Sequence, residues 1–454
     1  MTEPLWTPPE TVSREDALAA SEEVLARPDI PYTAEEDIIR VSALGLDWDV
    51  ALHVYQPRDP ARIPSGADGR KAGIFLLHGE GEDHRSQDAV ARLLVSKYGY
   101  KVTAMSYLGR YYLADKSRNW PGDTHDDDGT ARTPIYLTGE TYGRDQYDLI
   151  QDRTRRAQYG TRFVVRARPD TPFWHRLSSW PVAFDEGMRA LCRKHFPEPD
   201  FSIYVHGHSA GGSLSCIAHQ RVPNVVGGIA LEDSQFGYIN VARDKWSGGM
   251  GRIAGYAPPK VEHRPLDDRF NDMYLYDWRY KAVRLGGEAL AKEGPSALMR
   301  LPSLMEEVFE AWAEARHFPN FKHEYIVSHE IVPSLVEAAA VAAKRLGYDR
   351  DQADALRQQY LGYSRELSGP GTKAVPPQLF CLSRTGRNHS VDAYRAVTLP
   401  FFAAMTPPPK TALVHIQAGK HYFMTPEDGL PAGIGPMVTR LWDRAIKGGF
   451  YLVN

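Results

Sequence analysis

The chain has 454 residues, 43% of them apolar, enough for a large buried core and, by length, roughly two to three domain-sized units. Lys and Arg number 54 against 57 Asp and Glu, and the formal net charge of −3 argues against a nucleic-acid binder or a polyanion partner. The three cysteines, Cys192, Cys216 and Cys381, are odd in number and far apart, with no C-x-x-C pair, so a disulfide framework and a structural zinc site are not expected.

The N-terminus has neither a basic start nor an apolar run, so it does not read as a secretory signal. No stretch approaches the ~20 apolar residues that span a bilayer. A cytoplasmic location without a membrane span is the simplest expectation, and oligomeric state stays open.

Residues 1–37 read as a polar lead-in holding one helix, Ser13 to Ala26, with Ser13 as cap and Glu15 and Asp16 in the first turn. Period-two alternation follows on both sides of Gly45 (Ile39, Val41, then Trp48, Val50, Leu52, Val54), predicting two antiparallel strands over 38–56. Gly73 to Leu77 is wholly apolar, as suits a strand buried on both faces of a parallel sheet. A helix over about 86–98 and a strand over 101–106 complete a β-α-β rhythm and point to the α/β class.

The rhythm breaks over 107–176, a long excursion rich in Tyr, Arg, Asp and Gly. Long ordered excursions of this kind are usually functional. Helical spacing returns at about 178–195, then a strand from Ser202 to Val205, a helix over about 209–220 and a strand from Val225 to Leu231. Residues 236–375 form a second interruption; Leu304, Val308 and Trp312 recur at helical spacing there, and the block reads as a helical cap. Strands at 378–382 and 412–416 and a final helix over about 435–447 close the chain. The expected organisation is a lead-in (1–37), a core (38–235) with 107–176 inserted, the cap (236–375) and the rest of the core (376–454).

The strongest motif is Gly207-His208-Ser209-Ala210-Gly211, a G-x-S-x-G directly after a strand and before a helix. A sharp strand-to-helix turn lifts the serine hydroxyl above the sheet, and its flanking positions must be small. Upstream, His78-Gly79-Glu80-Gly81 ends an apolar strand. Downstream, the last strand runs into Lys420-His421-Tyr422-Phe423. In this order the residues resemble the serine esterases and lipases of the α/β-hydrolase superfamily, over about 73–235 and 376–447. The resemblance implies a mostly parallel sheet flanked by helices, with a large helical cap. It implies Ser209 as nucleophile and His421 as base, with His389 in reserve; His415 lies inside its strand and reads as a packed histidine. The oxyanion hole would be the N–H of Ala210 with that of Glu80 or, as its neighbour, Gly79.

The triad acid is open among three residues. The segment after the next-to-last strand lacks a carboxylate until Asp392, whereas the preceding strand ends in Gly228-Ile-Ala-Leu-Glu232-Asp233. That layout is similar to the platelet-activating-factor acetylhydrolase-like lipases and places Glu232 in the acid's position, with Asp233 and Asp392 as alternatives.

The resemblance implies carboxylic-ester hydrolysis through an acyl-enzyme, with no cofactor. Amide or C–C hydrolysis and acyl transfer use the same triad, and a catalytically silent binding protein is the rival from another class. The inserts carry many aromatic residues, which suits a bulky or aromatic small-molecule ester; His208, Tyr107 and Tyr111 are candidates to line its pocket. The acidic loop Asp123 to Asp128 and the arginine-rich run Arg153 to Arg168 read as solvated surface, and no metal is expected.

Overall fold

The computed structural model of the chain describes residues 5–43, 45–79, 83–108, 144–152, 162–167, 171–208, 222–230, 346–355, 375–385 and 408–453, with isolated positions between 211 and 219 and at 343, 344, 391, 395, 399 and 403. Most of the expected cap, 236–375, lies outside them.

Among the described residues the strands are β1 (Thr11–Val12), β2 (Tyr32–Ala43), β3 (Leu46–Pro57), β4 (Lys71–Leu77), β5 (Lys101–Met105), β6 (Tyr147–Asp152), β7 (Arg162–Ala167), β8 (Phe201–Gly207), β9 (Val225–Ala230), β10 (Gln378–Thr385) and β11 (Thr411–Lys420). Nine of them form one sheet in the order β1-β11-β10-β9-β8-β4-β5-β3-β2, while β6 and β7 pair separately as an antiparallel hairpin. Only β2 against β3 and β3 against β5 run antiparallel within the large sheet; every other pairing is parallel. This order, with β4 between β5 and β8 and then a run of neighbours to β11, is the α/β-hydrolase arrangement that the sequence implied. Three segments depart from the sequence expectation. Residues 11–12 and 32–37, read as lead-in, belong to the sheet, and 147–152 with 162–167, read as irregular excursion, form the hairpin.

Burial explains the centre. The segment Lys-Ala-Gly-Ile-Phe-Leu-Leu of β4 is buried from its second residue on, and β8 is buried throughout. Alternate side chains then feed two cores. Ile74 and Leu76 face the core shared with α1 (Arg14–Leu25), α2 (Asp88–Tyr98) and α4 (Gly435–Lys447). On the opposite face α3 (Pro172–His195) packs on β2 and β3, close enough that a Cβ at Gly187 would lie 2.6 Å from Val50 Cγ2. The helices form for local reasons as well. Ser13 caps α1, its Oγ accepting from Asp16 N–H at 3.0 Å. Helix α4 repeats Val438, Leu441, Trp442 and Ala445 toward the core, with Trp442 fully buried.

Three buried or half-buried histidines sit apart from the motifs. Burial pushes His84 below its ordinary value near 6.5, and does the same to His53 against the pull of Asp88. It also lowers His195, against its hydrogen bond with Asp37. Each imidazole therefore takes a proton more readily in the unfolded chain than in the fold. As pH falls below about 6.5 the unfolded state gains the extra protons, so stability declines from there toward the folded-state values. The urea midpoint should hold between pH 8 and 7 and fall steadily from about pH 6.5 to pH 5; a midpoint flat across that interval would show that these imidazoles protonate equally well in the fold.

Candidate active site

Strand β8 delivers the chain to a turn in which there is no room for side chains. A Cβ at Gly207 would lie 2.1 Å from the carbonyl oxygen of Gly211. One at Gly211 would lie 2.6 Å from Leu77 O and 2.8 Å from His78 O, at the end of β4. Glycine is required at both because the obstacle is main chain, which cannot swing aside. His208 N–H donates to Leu77 O at 2.9 Å, and its own carbonyl accepts from Gly211 N–H at 2.8 Å, closing a tight turn. Gly211, Gly212, Ser215, Ala218 and His219 are helical. Between these described residues fall Ser209 and Ala210, which lie outside the description.

The loop after β4 is held by His78, which is fully buried. Its Nε2 accepts from Tyr107 N–H at 3.1 Å, so the ring proton is on Nδ1, which donates to Gly79 O at 2.7 Å. Tyr107 stacks on the same ring at 3.7 Å between centroids and donates its hydroxyl to His78 O at 2.5 Å. Tyr107 is itself 0% exposed, so in the described structure it braces this loop. Glu80 lies outside the described residues.

Strand β11 ends at Lys420, and half-buried His421 follows it at once. Its ring lies 4.9 Å from the ring of His208 at 44°. Tyr422 also meets the His208 ring, at 5.2 Å and edge to face, and donates its hydroxyl to Ser86 O at 2.6 Å. The sequence marked Tyr422 only as an aromatic neighbour of His421 and gave no sign of Ser86; no local motif encodes a contact between segments so far apart in sequence. His415 sits within β11, its N–H donating to Glu10 O at 2.9 Å. His206 is buried in β8, with its Nδ1 2.8 Å from Ile229 O and its ring against Trp442.

The structure thus brings together His78, Gly79, Gly207, His208, Gly211 and His421 at the carboxyl ends of β4, β8 and β11, where open α/β sheets bind their ligands. Glu232, Asp233, Asp392, Tyr111 and His389 lie outside the described residues, so the choice of acid is not decided there. A cavity of about 590 Å³ opens elsewhere, at the amino ends of the strands, lined by residues such as Tyr204, Pro377, Lys410 and Tyr451. It is lined by none of the candidate site residues; those that are described, His78, Gly79, His208 and His421, lie at the opposite end of the strands. Among the described residues no cluster of His, Cys, Asp and Glu could hold a metal ion, and no helix is long and apolar enough to cross a membrane.

Strand order, register and the glycine turn define the class: the chain has an α/β-hydrolase fold. No family model matches it, and no curated protein does. Among solved structures it is similar to a peroxisomal α/β-hydrolase from Saccharomyces cerevisiae, at 10% identity over 93% of this chain and 90% of that one, with a TM-score of 0.37. It is similar to a thermostable esterase from Pseudomonas putida, at 12% identity over 98% and 91%, with a TM-score of 0.35. An esterase from Pyrococcus furiosus aligns at 10% identity over 91% and 93%, with a TM-score of 0.34. Likenesses this remote add no weight, and the fold assignment stands on the strand order itself.

The close approach at Gly211 gives a direct check. In Gly211→Ala the new methyl meets the carbonyls of Leu77 and His78, so β4 and the turn must separate. The loss should be about 1–3 kcal/mol in urea denaturation, and a variant with wild-type stability would mean that the two segments are not held at this distance.

Proposed function

We propose that the protein is a serine hydrolase that cleaves a carboxylic ester through a Ser209–His421–acid triad and an acyl-enzyme. The observation that carries this reading is the 4.9 Å approach of the His421 ring to His208, one residue before Ser209 in sequence. A histidine on the loop after the last strand thus meets the elbow of G-x-S-x-G, which is what a base for that serine requires.

In this reading His421 takes the hydroxyl proton of Ser209 as its oxygen attacks the ester carbonyl. The oxyanion forms against the N–H groups of Ala210 and of Glu80 or Gly79. The hydrogen bond from His78 to Gly79 O supports that assignment, because it holds one end of the peptide whose other end is the Glu80 N–H. Alcohol leaves with the proton from His421, and water, activated by the same imidazole, clears the acyl group. Glu232 is the acid we favour, accepting the Nδ1–H of His421. The insertion 107–176 and the cap 236–375 roof the pocket, and their aromatic residues suit a bulky or aromatic small-molecule ester. No step calls for a cofactor.

Ester turnover and covalent labelling by a fluorophosphonate test the reading together. Wild type should be labelled, whereas Ser209→Ala should take no label and lose on the order of 10⁶ in turnover; a Ser209→Ala protein within about tenfold of wild type would remove Ser209 from the chemistry. A panel of esters and matching amides, analysed by product, then separates ester from amide hydrolysis.

The acid is assigned by three variants compared on one ester at one pH. Glu232→Gln should fold normally and lose about 10⁴ in turnover, since an amide holds the imidazole in the wrong tautomer. Asp233→Asn and Asp392→Asn should lose far less. If either of them collapses while Glu232→Gln stays active, the acid lies there and the triad keeps its other two members.

A further inference from the structure

We propose that His208 is a positioning residue: its ring, braced by Tyr422, fixes the imidazole of His421 against the nucleophile. The proposal rests on the serine-hydrolase reading above and assigns to the variable position of the elbow a task that the motif alone does not.

His208 is joined to Ser209 by one peptide bond, so whatever its ring touches is registered against the serine. Its main chain is held on both sides, by Leu77 O and by Gly211 N–H. Its side chain is buried at 2% exposure, and the ring lies 4.9 Å from His421 and 5.2 Å from Tyr422. A buried ring packed against two other rings has few rotamers left to it.

Tyr422 directly follows His421, so the two share one stretch of main chain. Its hydroxyl donates to Ser86 O at 2.6 Å. Ser86 belongs to a short 3₁₀ turn, His84–Gln87, that leads into α2. That turn is fastened in its own right: Ser86 N–H donates to Asp83 O at 3.0 Å, and His84 N–H to Ser106 Oγ at 2.9 Å, just beyond β5. The loop carrying the base is therefore gripped from two directions, by the elbow through His208 and by the turn before α2 through Tyr422. A planar ring at 208 can lie against an imidazole and a phenol together, which an alanine or an aliphatic branch cannot do.

The purpose of such a clamp is geometric. A base displaced by about 1 Å can cost 10²-fold in rate, and a histidine on a loop is otherwise free to take several rotamers. The clamp acts through His421 and makes no demand on how tightly substrate binds.

The experiment is steady-state kinetics on an ester that wild type hydrolyses, with kcat expressed per active site titrated by fluorophosphonate labelling taken to completion. His208→Ala should lower kcat per titrated site by about 10²-fold with KM unchanged. His208→Phe, which keeps a ring, should recover most of that loss. Tyr422→Phe keeps the ring and the fold but gives up the hydrogen bond to Ser86; it should lower kcat about tenfold, again at constant KM. A merely structural role for His208 would reduce the number of titratable sites and leave kcat per site within about threefold of wild type, and that result overturns the proposal. So does a His208→Phe variant as slow as His208→Ala, since the ring would then not be what matters. A wild-type protein that takes up no fluorophosphonate fails differently: it refutes the hydrolase reading itself, whatever the variants do.

Discussion

The end of β4 and the turn after β8 meet main chain to main chain. Carbonyls of Leu77 and His78 stand where a side chain at Gly211 would have to be, and Leu77 O takes the N–H of His208. Everything else in the candidate site is placed relative to this contact. It sets the height of the elbow over the sheet and the start of the following helix. It also fixes the distance to the loop at His78 and Gly79. Because both partners are backbone, the spacing has little compliance.

The parallel sheet provides the second condition. Strands β4, β8, β9, β10 and β11 all run the same way, so their carboxyl ends open on one edge. Three loops separated by long stretches of sequence therefore meet without any one of them being long. Buried rings then do locally what strands do globally. His78 with Tyr107 stiffens the loop after β4, and His208 with His421 and Tyr422 joins the elbow to the loop after β11.

Much of this was legible from the residues. Wholly apolar runs such as Ile74 to Leu77 mark central strands because both faces are covered. The small residues around Ser209 mark the elbow because sterics leave no alternative. What escaped the sequence did so for physical reasons. Residues Tyr32 to Asp37 are polar and acidic, yet they form half of an edge strand; an edge tolerates charge, which also discourages pairing with another chain. The β6–β7 hairpin has only Leu149 and Ile150 at the centre of one side and Phe163, Val164 and Val165 on the other, runs too short to show alternation. Helix α3 begins at Pro172, six residues before its clear periodicity, and proline in a first turn is the signal that was available. The contact of His208 with His421 was invisible because it depends on two intervening strands, and no spacing rule within either loop encodes it.

One small pairing carries a consequence for how the molecule comes into being. Strand β1 lies parallel to β11, with Thr11 opposite His415 and Val12 opposite Ile416, and α1 packs on α4. During synthesis these two short elements leave the ribosome with their apolar faces uncovered, and the rest of the sheet is made before their partners exist. The histidine that would activate the serine emerges later still, on the far side of β11. If Ser209 and His421 act as proposed, a nascent chain holds its elbow long before it holds a base, and the serine stays unactivated until β11 has been made and paired. On that reading topology acts as a timer, delaying reactivity until the fold is complete.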